Sequence, residues 1–136
     1  MENNNIIRSF VSDLLTTKVH LTEGKTVDGK YTIKDSKGEG FINQILLKTS
    51  SNAYTVQVLI DKSITYDKPY SFFSTNSEHI DNVSAYLAAG IYYLSFQNLY
   101  FQKSFIIRIV STTSITLTLA LVRYGIRDEI YINTGD

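Results

Sequence analysis

The chain has 136 residues, the length of one domain, and its 13 basic and 13 acidic side chains are spread along it, giving no net charge. That balance leaves no clustered positive surface for nucleic acid or for an anionic membrane, and the absence of cysteine excludes disulfides, thiol catalysis and cysteine-ligated zinc. Ten tyrosines and seven phenylalanines, with one proline and no tryptophan, describe an aromatic-rich β protein rather than a disordered one.

The start, Met1 to Asn5, lacks the basic residues and long apolar run of a secretory signal. No apolar stretch approaches the roughly 20 residues that span a bilayer. A soluble chain folded in a cytoplasm is therefore expected. From Asn5 to Leu15 the spacing of Ile7, Phe10, Val11, Leu14 and Leu15 predicts a short helix with one apolar stripe, capped by one of Asn3, Asn4 and Asn5. Such a helix, within a segment spanning residues 1–16, packs on the sheet or on a neighbouring subunit, or serves as a docking arm; the Ile6–Ile7 end is also compatible with a strand.

Val19 to Thr22 reads as a short strand. Asp28-Gly29, between Thr26-Val27 and Tyr31-Thr32-Ile33, has the form of a tight hairpin turn. Asp35 to Gly40 is a polar loop whose glycines lack the strand, helix and Lys-Ser/Thr context of a phosphate loop. Phe41–Thr49 and Ala53–Asp61 form a predicted hairpin around Ser50-Ser51-Asn52. On its second strand Tyr54, Val56, Val58 and Ile60 share a face. On its first, the consecutive Ile45, Leu46 and Leu47 predict burial on both faces, between layers or under a partner.

Asp61-Lys62 makes the next turn, before a short strand at Ile64 and Tyr66. Asp67 to Ala89 is irregular: it holds Pro69, the aromatics Tyr70, Phe72 and Phe73, and a polar run, and Ile80, Val83, Tyr86 and Leu87 fit a helical turn or two. Gly90 to Arg123 then reads as three strands that organise the sheet. Tyr92, Leu94 and Phe96 mark the first, Phe105, Ile107 and Ile109 the second. After a turn at Ser111-Thr112-Thr113, the third alternates Ile115, Leu117, Leu119 and Leu121 against Thr116, Thr118 and Ala120. Tyr124-Gly125 breaks that pattern, and Ile130 to Ile132 is a final short strand. No repeat or linker divides the chain, so residues 1–136 are one domain with its β-sandwich over residues 19–132.

Chemistry-bearing groups are sparse. His79 stands near Glu78 and Asp81, which in a polar loop supplies fewer ligands than a zinc site and lacks the spacing of a calcium loop. No Gly-x-Ser-x-Gly elbow is present. No cofactor or metal is expected, and the reading is non-enzymatic. The surplus lies in the aromatics: Tyr93, Tyr100 and Phe101 do not all fit the face of Tyr92, Leu94 and Phe96. Tyr70, Phe72, Tyr93 and Tyr100, with Ile7 and Phe10 of the N-terminal segment, are the candidate interface or ligand contacts.

The block Gly40-FINQILLKTSSNAYTVQVLID-Asp61, followed by Gly90-IYYLSFQNLYFQKSFIIRI to Ile109, resembles small β-sandwich proteins of phage virions. In these, two strands around a Ser/Asn turn precede a Gly-x-Tyr-x-Leu strand and an apolar hairpin. The resemblance covers residues 40–124. It implies an all-β, mostly antiparallel sandwich of jelly-roll-like form. It also implies a structural role in the virion, as a capsid, neck or tail accessory subunit that packs against other virion proteins and against itself. The alternative expectation is a β-sandwich module that binds carbohydrate through exposed Tyr and Phe.

Overall fold

The computed structural model describes residues 15–127, and strands make up about three quarters of them. In chain order they are β1 (Leu15–Lys37), β2 (Gly40–Thr49), β3 (Thr55–Ile60), β4 (Ser63–Pro69), β5 (Val83–Ala88), β6 (Ile91–Phe101) and β7 (Ser104–Arg127), with one short helix, α1 (Tyr70–Asn76), between β4 and β5. All seven strands belong to one sheet, and every pairing is antiparallel. The mostly antiparallel all-β class is therefore observed. No helix among the described residues is long and apolar enough to cross a membrane.

β7 is the axis of this sheet. β1 runs beside it from end to end, pairing Leu15 with Arg127 and Lys37 with Ser104. Its other side is shared by two strands laid end to end: β3 pairs with Phe105–Val110 and β2 with Leu117–Ile126. β4 extends the sheet beyond β3, making a short wing, and β6 and β5 extend it beyond β2, making a long one.

The wings fold toward each other because β7 bends between them. Where Val27 and Gly29 of β1 are two residues apart, their partners Ile115 and Ser111 are four apart, so residues 112–114 of β7 bulge out of the ladder. Gly29, at φ +96°, supplies the left-handed backbone this corner needs on the β1 side. The buried Ser111 fixes it, donating from Oγ to the Ala53 carbonyl (3.0 Å) and accepting from the Thr113 N–H (3.3 Å). The bend brings the two ends of β7 together at residues 38–40. Gly38 N–H donates to Lys103 O (2.7 Å) and Arg127 N–H to Glu39 O (2.8 Å). Gly40 then passes so close to Gly125 that a Cβ there would lie 2.0 Å from its carbonyl oxygen.

Between the wings lies the core. The short wing contributes Val56, Val58, Phe105, Ile107 and Ile109; the long wing Ile45, Leu47, Leu94, Phe96 and Val122, all essentially buried. Rings meet across the gap: Tyr66 of β4 lies 5.1 Å from Phe96 of β6, and Phe105 lies 5.3 Å from Tyr124 at the other end of its own strand. Helix α1 joins the wings, with Phe73 against both Tyr66 and Phe96, and Tyr70 against Tyr54 and Tyr92. Each such side chain contributes about 1.5–3 kcal/mol by leaving water.

Several sequence expectations are corrected. Asp28-Gly29 and Ser111-Thr112-Thr113 are not turns; they face each other as the bulged corner of two unbroken strands, so the chain does not reverse there. Gly90 to Arg123 holds two strands rather than three, and β7 continues through Tyr124-Gly125 to Arg127. β2 and β3 do not pair, because β7 takes the same side of both; the Ser50-Ser51-Asn52 loop carries the chain from one wing to the other. Thr49 Oγ donates to Ser51 O (2.9 Å), and Ser50 Oγ accepts from Thr116 N–H (3.0 Å). Val83, Tyr86 and Leu87 lie in a strand, and the helix comes earlier, after Pro69, whose extended backbone starts it. Asp61-Lys62 is the predicted turn: both residues have positive φ, the backbone of a two-residue hairpin connection. The helix predicted for residues 5–15 lies outside the described residues except for Leu15, which opens β1; the final strand at residues 130–132 lies outside them as well.

Candidate functional site

The long wing has an inner face against the core and an outer face without any cover among the described residues. Register places the outer face row by row across five strands, a width of about 19 Å at the usual strand spacing. One row holds Val19, Arg123, Gln44 and Gln97; the next Leu21, Leu121, Leu46, Ser95 and Ser84; the third Glu23, Leu119, Lys48, Tyr93 and Tyr86.

The centre of this face is aliphatic because β7 changes parity within itself. Lys48 pairs with Leu119 but Thr49 pairs with Leu117, so Thr118 is an extra residue. Opposite it stands Gly24, at φ +64°. Ile115 and Leu117 point into the core, whereas Leu119 and Leu121 emerge outward and Ala120, Val122 and Tyr124 replace them inside. The predicted single face of Ile115, Leu117, Leu119 and Leu121 is thus split in two. Leu46 joins the outer leucines while its neighbours Ile45 and Leu47 are fully buried, and Val19 and Leu21 of β1 are 58% and 49% exposed.

Polar groups frame the leucines. Arg123 donates to Gln44 Oε1 (3.3 Å), and Gln44 Nε2 to Ser95 Oγ (3.2 Å). The Lys48 ammonium sits 5.4 Å from the Tyr93 ring centre, and Tyr93 stacks on Tyr86 at 4.7 Å with the ring planes 7° apart. Beside that stack Asn82, Val83, Ser84, Ser95 and Gln97 line an open hollow of about 270 Å³. A second hollow, about 160 Å³, lies on the short wing between Lys30, Gln57, Leu59, Ile64, Asp67 and Arg108. Among the described residues no three His, Asp or Glu side chains stand together.

The sequence-predicted contacts that lie among the described residues are not brought together. Tyr70 is 3% exposed and belongs to the core, packed between Tyr54 and Tyr92, so it is not a surface contact. Burial pushes its phenol pKa up, as it does for Tyr66. Phe72 leans on the same core with its edge toward Phe73 and the Lys68 ammonium 5.2 Å from its ring centre. Tyr93 is on the outer face. Tyr100 is exposed, but at the seam where the ends of β7 meet. Its hydroxyl donates to Glu39 Oε2 (2.6 Å), which raises its pKa, while Glu39 Oε1 pairs with Arg127 (2.8 Å). Ile7 and Phe10 lie outside the described residues. Phe101 is fully buried, against Phe105. The sequence pattern does not mark Leu119, Leu121, Val19 and Leu21 as an outer face; its signals of one are the run Ile45–Leu47 and the surplus aromatic Tyr93.

Two further features are structural. Asp61 accepts the N–H groups of Gln102, Lys103 and Ser104 between 2.6 and 3.1 Å; these bonds, that of Lys103 foremost, pull its pKa below 3.8. The Tyr54 hydroxyl, by contrast, is buried without a hydrogen bond among the described residues, although the Thr49 hydroxyl, which donates to Ser51 O, lies near it. Burial, with Tyr70 adding to it and Thr49 opposing, drives the Tyr54 pKa far up.

Compared with models of known protein families and with curated proteins, the chain matches none.

Proposed function

We propose that this chain is a non-enzymatic structural or assembly protein of a phage-like virion, a capsid, neck or tail accessory subunit that works by packing against other virion proteins and against copies of itself. The observation that carries this reading is the outer leucine face: the half-buried Leu46, Leu119 and Leu121 flanked by the exposed Val19 and Leu21 on a five-stranded wing. An uncovered apolar face rimmed by Arg123, Glu23 and Lys48 is the anatomy of a protein interface. The motif resemblance over residues 40–124 points the same way. In this reading the two wings act as the two layers of a sandwich rolled in jelly-roll-like fashion, and the segment carrying Ile7 and Phe10 is a docking arm. The test is sedimentation of lysates in which the tagged chain is expressed with the other components of its particle. Wild type is expected in the fast fraction and a Leu46→Lys/Leu121→Lys double variant in the slow one; equal sedimentation of the two would refute the leucine face.

A second reading, carbohydrate binding, is favoured by one feature: the hollow lined by the amides and hydroxyls of Asn82, Ser84, Ser95 and Gln97 next to the Tyr86–Tyr93 stack. Glycan-array binding that disappears with Tyr86→Ala or Gln97→Ala supports it. Silence across a broad array removes it.

A further inference from the structure

Among the described residues three strands end the sheet, and two of them are protected against pairing. β4 carries Asp67, Lys68 and Pro69. β1 carries Lys18, Glu23, Lys25, Lys30 and Lys34 and is interrupted by bulges. Charges, prolines and bulges are the ordinary means of keeping a free edge from adding a strand. β5 has none of them. Its sequence is Val-Ser-Ala-Tyr-Leu-Ala, its ladder with β6 has no register shift, and Tyr86 and Leu87 are 52% and 56% exposed.

The hydrogen-bond phase of that edge can be worked out. Gln97 N–H donates to Asn82 O (2.9 Å), so residues 82 and 97 are a hydrogen-bonded pair. In an antiparallel ladder such pairs alternate, which directs the backbone of Ser84, Tyr86 and Ala88 toward β6. Val83, Ala85 and Leu87 therefore present their N–H and C=O groups outward. A second β5 related by a two-fold axis can satisfy them in one central register, with Ala85 on the axis opposite its own copy.

We infer that β5 pairs antiparallel with β5 of a second copy of this chain, joining two sheets edge to edge through an Ala85–Ala85 centre. Each side-chain match in that register is favourable. Val83 meets Leu87 of the copy on the inner face and covers an exposed leucine, while Ser84 meets Tyr86 on the outer face. Tyr93 lies between Lys48 and Tyr86 along one row, so the unstacked side of the Tyr86 ring is the one that faces the copy. An edge without charge, on a chain with no net charge, is complementary to itself and opposes no like charges across the axis. This contact is separate from the leucine face and does not depend on the virion reading.

The experiment uses the full chain, which has no cysteine of its own. Light scattering across a concentration series is expected to show mass rising toward twice the 15.4 kDa of one chain. Ala85→Pro removes an outward N–H that β6 does not use, and it weakens the dimer by about tenfold or more. Leu87→Lys, at an exposed position that leaves the fold intact, is expected to do the same. Under mild oxidation Ala85→Cys forms a disulfide dimer, because Cα atoms of a hydrogen-bonded pair lie about 5.5 Å apart. Ser84→Cys and Tyr86→Cys do not cross-link alone but do so when mixed. Single-chain mass at every concentration overturns the inference. So does an oligomer that ignores both edge variants, even one dispersed by Leu121→Lys, or cross-links in another register.

Discussion

Leu117 and Leu119 stand two residues apart in one strand and face opposite sides of the sheet. Leu117 is fully buried, whereas Leu119 lies on the outer face between Glu23 and Lys48. The extra residue Thr118 separates them. Leu117→Ala should therefore lower stability by about 2–5 kcal/mol, the range for emptying a packed site. Leu119→Asn should change it by less than about 1 kcal/mol. Urea unfolding of both variants checks the contrast; equal losses would mean that the parity of β7 does not change at Thr118.

That pair also shows how far the sequence could be read. Period-two alternation identified the strand, since Ile115, Leu117, Leu119 and Leu121 keep strict spacing. It could not reveal the bulge, because a bulge leaves spacing unaltered and shows only as the partner's register, here Thr49 and Lys48 on β2. The same limit explains the corner. Asp28-Gly29 and Ser111–Thr113 carry turn chemistry, and turn chemistry serves a bulge equally well when another strand stands opposite. Asp61-Lys62, with no strand to bridge it, became the turn its position predicted. Tyr70 was misplaced for a different reason: a polar, irregular neighbourhood concealed a short helix that turns its ring inward onto Tyr54 and Tyr92.

At the seam, Gly40→Ala should cost about 3 kcal/mol or more, because the new methyl group meets the Gly125 carbonyl and the Phe101 ring, and backbone cannot yield as a side-chain tip can. A thermal melt indistinguishable from wild type would show that β2 and β7 are not so closely apposed there.

Asp61 makes stability depend on acid. Its pKa is lower in the folded chain than in the unfolded one, so its contribution is complete above the ordinary value of 3.8 and is lost as pH falls through the folded value. Asp61→Asn keeps a residue that tolerates the positive φ but removes the charge. Wild type should be the more stable at pH 6, and the gap in melting temperature should close as pH drops below 3.8. A gap constant down to strong acid would contradict the role of the carboxylate.

Removal of the Tyr54 hydroxyl should help the fold. It is buried with no hydrogen bond among the described residues, so Tyr54→Phe discards a desolvated polar atom and keeps the ring that packs on Tyr70. A gain of about 1 kcal/mol in chemical unfolding is expected. A loss of similar size would reveal a bond that the ring holds in solution.

The most direct test of the leucine face is side-chain footprinting by hydroxyl radicals on the free chain and on the chain co-assembled with the particle components that the proposed function assigns to it. Leu21, which is exposed, and the half-buried Leu46, Leu119 and Leu121 should label in the free chain and be protected on assembly, while Ile64, exposed on the short wing, labels in both. Equal labelling of the four outer leucines in both states would contradict packing through this face.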